Sequence, residues 1–280
     1  MPANLYALGA IALWATLATL GVALRHLPPF LLTGIGLLVG SLLALPFVLR
    51  DRRHWQIPFT TLTLGIYGLF GFHFLLFIAL RHAPAVEANL VNYLWPLLMV
   101  VLAPLFLPGV RLTALHVLAA LLGFAGAAVA ILGNGSGNGA AGGWAWGYLP
   151  ALASAFIWAS YSLLTKRVAA FPTAAIGLFG LVSGALSLLC HWLLEPPVFV
   201  SGRDWALLIV MGLGPLGAAF FLWDKALKLG DARQIGILSY ITPLASTALL
   251  MVVSGRPPSW SIAIAAVMII GAALLGTRTD

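Results

Sequence analysis

The sequence predicts an all-α integral membrane protein with ten transmembrane helices in two inverted five-helix repeats. Three observations carry that prediction. Hydrophobic residues make up 62% of the 280 positions and charged residues 8%, which leaves too little polar side chain to cover a soluble surface. Ten apolar segments of about 20 residues, the length that crosses a bilayer, take up almost the whole chain. The last five segments repeat landmarks of the first five at a nearly constant spacing.

In chain order the spans are expected at 4–24, 29–49, 57–80, 84–107, 112–132, 144–166, 172–194, 204–227, 232–253 and 259–277. Basic residues punctuate them singly or in short runs. Arg25 follows the first span; Arg50, Arg52 and Arg53 follow the second; Arg81 follows the third and Arg111 the fourth. The run Gly133-Asn134-Gly135-Ser136-Gly137-Asn138-Gly139 reads as a flexible linker. It separates a first repeat, 1–133, from a second, 144–280, with 134–143 between them. Lys166 and Arg167 then follow the sixth span and Arg203 the seventh; Lys225, Lys228 and Arg233 surround the end of the eighth; Arg256 follows the ninth and Arg278 the tenth.

Alternate links differ in basic content. One set holds ten Lys or Arg (Arg50, Arg52, Arg53, Arg111, Lys166, Arg167, Lys225, Lys228, Arg233, Arg278) and the other four (Arg25, Arg81, Arg203, Arg256). The positive-inside rule places the richer set, and with it both termini, in the cytoplasm. A net charge of +7 is therefore read as topology and not as a nucleic-acid surface. Trp55, Trp144, Trp146, Trp205 and Trp260 fall near span ends, where indoles anchor at the interface. The lone Cys190 excludes an internal disulfide. No cleavable signal peptide is expected.

The repeat is visible in single residues. Trp14 and Trp158, Pro28 and Pro172, and Gly36 and Gly180 are each 144 apart. Ala79-Leu80 and Ala226-Leu227, Tyr93 and Tyr240, and Pro96 and Pro243 are each 147 apart. Five is an odd number of spans, so the second repeat enters the membrane in the opposite sense. That is the architecture of many secondary transporters, with substrate at the repeat interface near the midplane.

The candidate site residues are those that a bilayer would otherwise disfavour. Asn89, Asn92, Tyr93 and Pro96 share one helix face, as do Gly236, Ser239, Tyr240 and Pro243. Pro96 and Pro243 cannot donate to the carbonyls of Asn92 and Ser239, so each repeat offers a kink, a candidate hinge and a freed acceptor. The alternative is a packing kink satisfied by a neighbouring helix. Trp14, Trp95 and Trp158 lie mid-span, and Ser154, Trp158, Tyr161, Ser162 and Thr165 share a face of the sixth span. Aromatic walls with scattered hydroxyls suit a ligand that is apolar with polar ends, although large rings also fill bundle cores. His73 faces Phe70, Phe74 and Phe77, either as a hydrogen-bonded core residue or as a ligand contact or relay. Glu87 lies in a first helical turn and points away from the Asn89/Tyr93 face. Asp224, Lys225 and Lys228 read as topology and surface pairing. Gly123-Ala127 and Ala272-Gly276 have small-xxx-small spacing, read as scaffold packing, with a dimer face as the alternative. No metalloprotease, nucleophile-elbow or phosphate-loop motif is present, so the chain is not expected to be an enzyme.

Val91-Asn92-Tyr93-Leu94-Trp95-Pro96, Phe156-Ile157-Trp158-Ala159-Ser160-Tyr161 and Ser239-Tyr240-Ile241-Thr242-Pro243, with the ten spans and the duplicated halves, resemble the EamA family of the drug/metabolite transporter superfamily over essentially the whole chain. The resemblance implies export of aromatic amino acids and related metabolites across the bacterial inner membrane by alternating access. It also implies a central cavity, with the fifth and tenth spans as outlying scaffold. The connection Arg81-His82-Ala83-Pro84 is shorter than expected from that family's aromatic amino acid exporters. The expected contacts are Tyr93, Trp95, Trp158 and Tyr240 to a side chain with Trp14 nearby, Asn92, Ser239 and the carbonyls freed by the prolines to the amino and carboxylate groups, and His73 and Tyr161 as further substrate-binding candidates. No cofactor, metal or nucleic acid is expected, the partners being a small-molecule substrate and the lipid bilayer, and the chain is read as a monomer. A facilitator of neutral amino acids and a non-transporting scaffold or sensor subunit are the alternative functions.

Overall fold

The computed structural model describes residues 2–132, 145–255 and 260–276. The linker 134–143, Trp144, Arg256 and Arg278 lie outside the described residues. Among those described, every regular element is helical. Eight helices are long and apolar enough to cross a membrane: α1 (Pro2–Ala23), α2 (Pro29–Arg50), α3 (Phe59–His82), α4 (Ala85–Phe106), α5 (Ala114–Leu132), α7 (Ala175–Leu194), α8 (Gly202–Leu229) and α9 (Ala232–Val253). Two shorter apolar helices, α6 (Tyr148–Leu164) and α10 (Trp260–Gly276), have 17 residues each.

Local chemistry sets the boundaries. Pro29 begins α2, where its missing N–H removes no helical bond. Ser201 caps α8 in a reciprocal box with Asp204, and this starts the helix two residues earlier than the apolar pattern alone suggests. Trp55 does not simply anchor at a surface, because its indole donates to the Ala174 carbonyl at 3.1 Å. Trp146, Trp205 and Trp260 are exposed.

Several helices are irregular, and the irregularities recur. α3 widens to a π-turn at Tyr67–Gly71 and α8 at Gly214–Ala218, 147 residues apart at both ends. α4 breaks between Asn92 and Trp95, and α9 between Leu238 and Ile241. In α8 the cause is partly Pro215, which cannot donate into the helical ladder.

α2 packs on α7, α1 on the second half of α8, and α6 on α3 and α4. The buried core runs through these helices. α5 and α10 pair with each other and lean on α9. Gly123 is needed there for close approach, since a Cβ would overlap the Tyr240 ring.

Candidate functional site

A cavity of about 920 Å³ opens between α1, α2, α3, α4, α8 and α9, with Trp158 of α6 at its base. Its mouth is formed by Gly21, Val22 and Arg25 at the end of α1, Leu80 at the end of α3 and Ala85 at the start of α4. This end lies opposite the one where α1 begins. Arg25 is the one lining residue, among those described, with a permanent charge.

The base is aromatic. Trp158 lies 5.8 Å from Trp14 and 6.4 Å from Trp95, both edge-on, and 5.3 Å from Phe72. Phe220 is 5.7 Å away and Trp223 6.2 Å, the latter nearly parallel. Edge-on and offset contacts of this kind exceed simple area burial by about 0.5–1.5 kcal/mol per pair. Trp223 completes the cluster at 5.2 Å from Trp14 and 5.6 Å from Trp95, and donates to Ser162 at 3.1 Å. Nothing in the sequence singles it out. It lies beside Asp224 and Lys225, where an indole looks like one more interfacial residue.

Both π-turns serve this site. A π-turn inserts one residue and leaves a carbonyl without its usual amide. The Trp14 indole donates to Pro215 at 3.1 Å, which satisfies a buried N–H across the two halves of the chain. Nδ1 of His73 lies 2.6 Å from the Leu69 carbonyl. A carbonyl only accepts, so Nδ1 carries the proton, and in the neutral imidazole Nε2 keeps a lone pair. His73 lines the cavity and packs against Phe72, Phe77 and Phe220 at 5.0, 6.1 and 6.4 Å.

The α4 wall presents Asn89, Asn92, Tyr93 and Trp95 to the cavity. Asn92 is buried, and its side-chain oxygen accepts from Ser154 of α6 at 2.9 Å. Glu87 is absent from the lining. Across the cavity, α9 contributes Thr242 and Ser246. Ser239 and Tyr240 do not line it. The Ser239 hydroxyl donates back to Ile235 at 2.8 Å, and the carbonyl freed by Pro243 accepts the Thr242 N–H at 3.0 Å. Tyr240 is fully buried among Ala127, Ile269 and Phe124 of the outlying helices. Tyr161 touches Trp158 at 5.3 Å but packs over Gly68 behind the base.

Thus Trp14, His73, Asn92, Tyr93, Trp95 and Trp158 come together at the cavity, and Tyr161, Ser239 and Tyr240 lie behind its walls. Beneath the base, Asp224 is not a surface residue. It is 4% exposed and ion-pairs with Lys228 at 2.6 Å. Lys228 also donates to the Phe171 carbonyl at 2.8 Å. Lys166 donates to the carbonyls of Leu227 and Gly230 at 2.5 and 2.7 Å. At the end of the bundle opposite the mouth, Lys166 thus satisfies carbonyls at the C-terminus of α8 and Lys228 one in the α6–α7 connection. Lys166 has its pKa lowered by burial.

The EamA-like transporter family matches residues 1–132 and 145–278. The aromatic amino acid exporter YddG of Ancylobacter novellus is 43% identical over 98% of this chain and 96% of that protein. YddG of Escherichia coli is 30% identical over the same shares of the two chains. A solved crystal structure superposes with a TM-score of 0.89 at 42% identity, covering 98% of this chain and 96% of the other. With two matches that together span nearly its full length, the chain belongs to the EamA-like transporter family.

Proposed function

We propose that this protein exports aromatic amino acids across the bacterial inner membrane by alternating access. The observation that carries the reading is the cavity itself, with rings at its base and uncharged polar groups on its walls. An aromatic side chain would stack on Trp14, Trp95 and Trp158, with Tyr93 beside it. The amino and carboxylate groups would meet the His73 lone pair, Asn89, Asn92 and Thr242. A site built to hydrogen-bond a substrate discriminates strongly against analogues that leave those groups unpaired. The names of the similar exporters point to the same substrate class.

On this reading α6 and α10 also cross the membrane, giving ten spans in two inverted repeats with both termini cytoplasmic. Support comes from the recurring π-turns, the recurring breaks near Pro96 and Pro243, and the two family matches. The breaks are the hinges on which the cavity changes sides. The α5–α10 pair is scaffold, and the working unit is a monomer.

The test is counterflow of labelled L-phenylalanine in proteoliposomes, with unlabelled competitors. Phenylalanine, tyrosine and tryptophan are expected to compete, and glycine and alanine to compete poorly. Equal competition by all five would replace the aromatic exporter with a general neutral amino acid facilitator.

A further inference from the structure

Counterpart charges at the two ends of the bundle are wired differently. Asp51 directly follows α2 and Glu195 directly follows α7. They are 144 residues apart, the spacing of Trp14 and Trp158. Arg81 and Lys228 are each the next-to-last residue of a helix, α3 and α8. They are 147 apart, the spacing of Tyr93 and Tyr240.

At the cavity end the acid and the cation have met. Arg81 donates to Glu195 at 2.8 Å. The same carboxylate accepts the N–H groups of Phe30 and Leu31, in the first turn of α2, at 3.1 and 3.3 Å. His191 Nδ1 lies 2.9 Å away. The Glu195 side chain is fully buried, and these donors offset its lost hydration. The pair joins the N-terminal half of the chain to the C-terminal half. At the closed end the counterparts are apart. Lys228 turns back to Asp224 on its own helix at 2.6 Å. Asp51 is exposed, and its carboxylate accepts the Arg53 N–H at 2.9 Å. No cation lies within ion-pairing distance of it among the described residues.

We propose that Asp51 and Lys228 pair when the cavity opens toward the opposite end, as Glu195 and Arg81 pair in the present state. This rests on the inverted-repeat reading above. Inverted halves exchange conformations when access alternates, so a contact made at the open end and unmade at the closed end trades places with its counterpart. Lys228 then leaves Asp224, and Asp51 moves to the start of α7 as Glu195 now sits at the start of α2. Asp51 and Glu195 act as positioning residues that mark the two states, and neither touches substrate.

The experiment places Asp51→Cys with Lys228→Cys in a Cys190→Ala background in proteoliposomes, exposed to phenylalanine and a short bis-maleimide. The expected result is a cross-link that stops counterflow. Absence of that cross-link, where Arg81→Cys with Glu195→Cys does cross-link, would overturn the proposal. Asp51→Asn keeps the turn hydrogen bond to Arg53 and so keeps the fold. It is expected to slow flux about two- to fivefold, the scale of one partly exposed ion pair, with recovery in Asp51→Glu. Unchanged flux in Asp51→Asn would also overturn it. The cross-link is read by gel mobility, so it separates this proposal from the transport reading, which falls if the wild-type protein shows no counterflow of any amino acid.

Discussion

The breaks in α4 and α9 carry nearly the same sequence pattern and do different things. In α4, Asn92, Tyr93 and Trp95 face the cavity. In α9, the counterparts of Asn92 and Tyr93, namely Ser239 and Tyr240, turn their side chains into packed protein. Tyr240 fills the space that Gly123 leaves in α5, and Ser239 bonds within its own helix. The cavity surface of α9 comes instead from Thr242 and Ser246. The backbone break recurs at the 147-residue spacing while the side-chain surroundings diverge. A kink is a property of the chain, whereas a contact depends on which neighbour stands opposite; α5 touches both α4 and α9, and α10 stands beside α9.

Paired substitutions sharpen this contrast. Tyr93→Ala removes a cavity wall and is expected to lower phenylalanine counterflow about tenfold or more, the scale of losing a buried aromatic anchor, with little change in melting temperature in detergent. Tyr240→Ala is expected to do the reverse. The void beside Gly123 costs about 3–5 kcal/mol of stability, read as a lower melting temperature, while flux per folded molecule and competitor ranking are retained. If Tyr240→Ala changes the competitor ranking and Tyr93→Ala does not, the two breaks have been assigned the wrong way round. Gly123→Ala pushes a methyl group against the Tyr240 ring and is expected to cost about 1–3 kcal/mol, with unchanged selectivity. Ser239→Ala removes only an intrahelical hydroxyl bond, worth about 1 kcal/mol or less, and flux is expected to stay near the wild-type level.

Much of the fold is legible because a bilayer demands long apolar helices and tolerates few exceptions. The mid-span groups of Trp14, His73, Asn92, Tyr93, Trp95 and Trp158 stand out for the same reason, and all six reach the cavity. The orientation of α9 is not legible. Lipid, scaffold helix and cavity base are all apolar partners, so no periodicity tells Tyr240 which way to turn. Glu195 and Asp224 resemble surface acids because each sits near a helix end. Their burial depends on donors brought from other elements, namely Arg81 and the first turn of α2 for Glu195, and the α6–α7 connection through Lys228 for Asp224. The one available signal is the spacing of Asp51 to Glu195 and Arg81 to Lys228, which matches that of Trp14 to Trp158 and of Tyr93 to Tyr240.

On the proposed function, the ring-based cavity holds the substrate. Trp158 tests it most directly, since it touches Trp14, Phe72, Trp95, Phe220 and Trp223 at the base. The measurement is counterflow of labelled phenylalanine by wild-type protein and Trp158→Ala, reconstituted in equal folded amounts. Flux is expected to be lower by about tenfold or more in the variant. Wild-type flux in Trp158→Ala would contradict it.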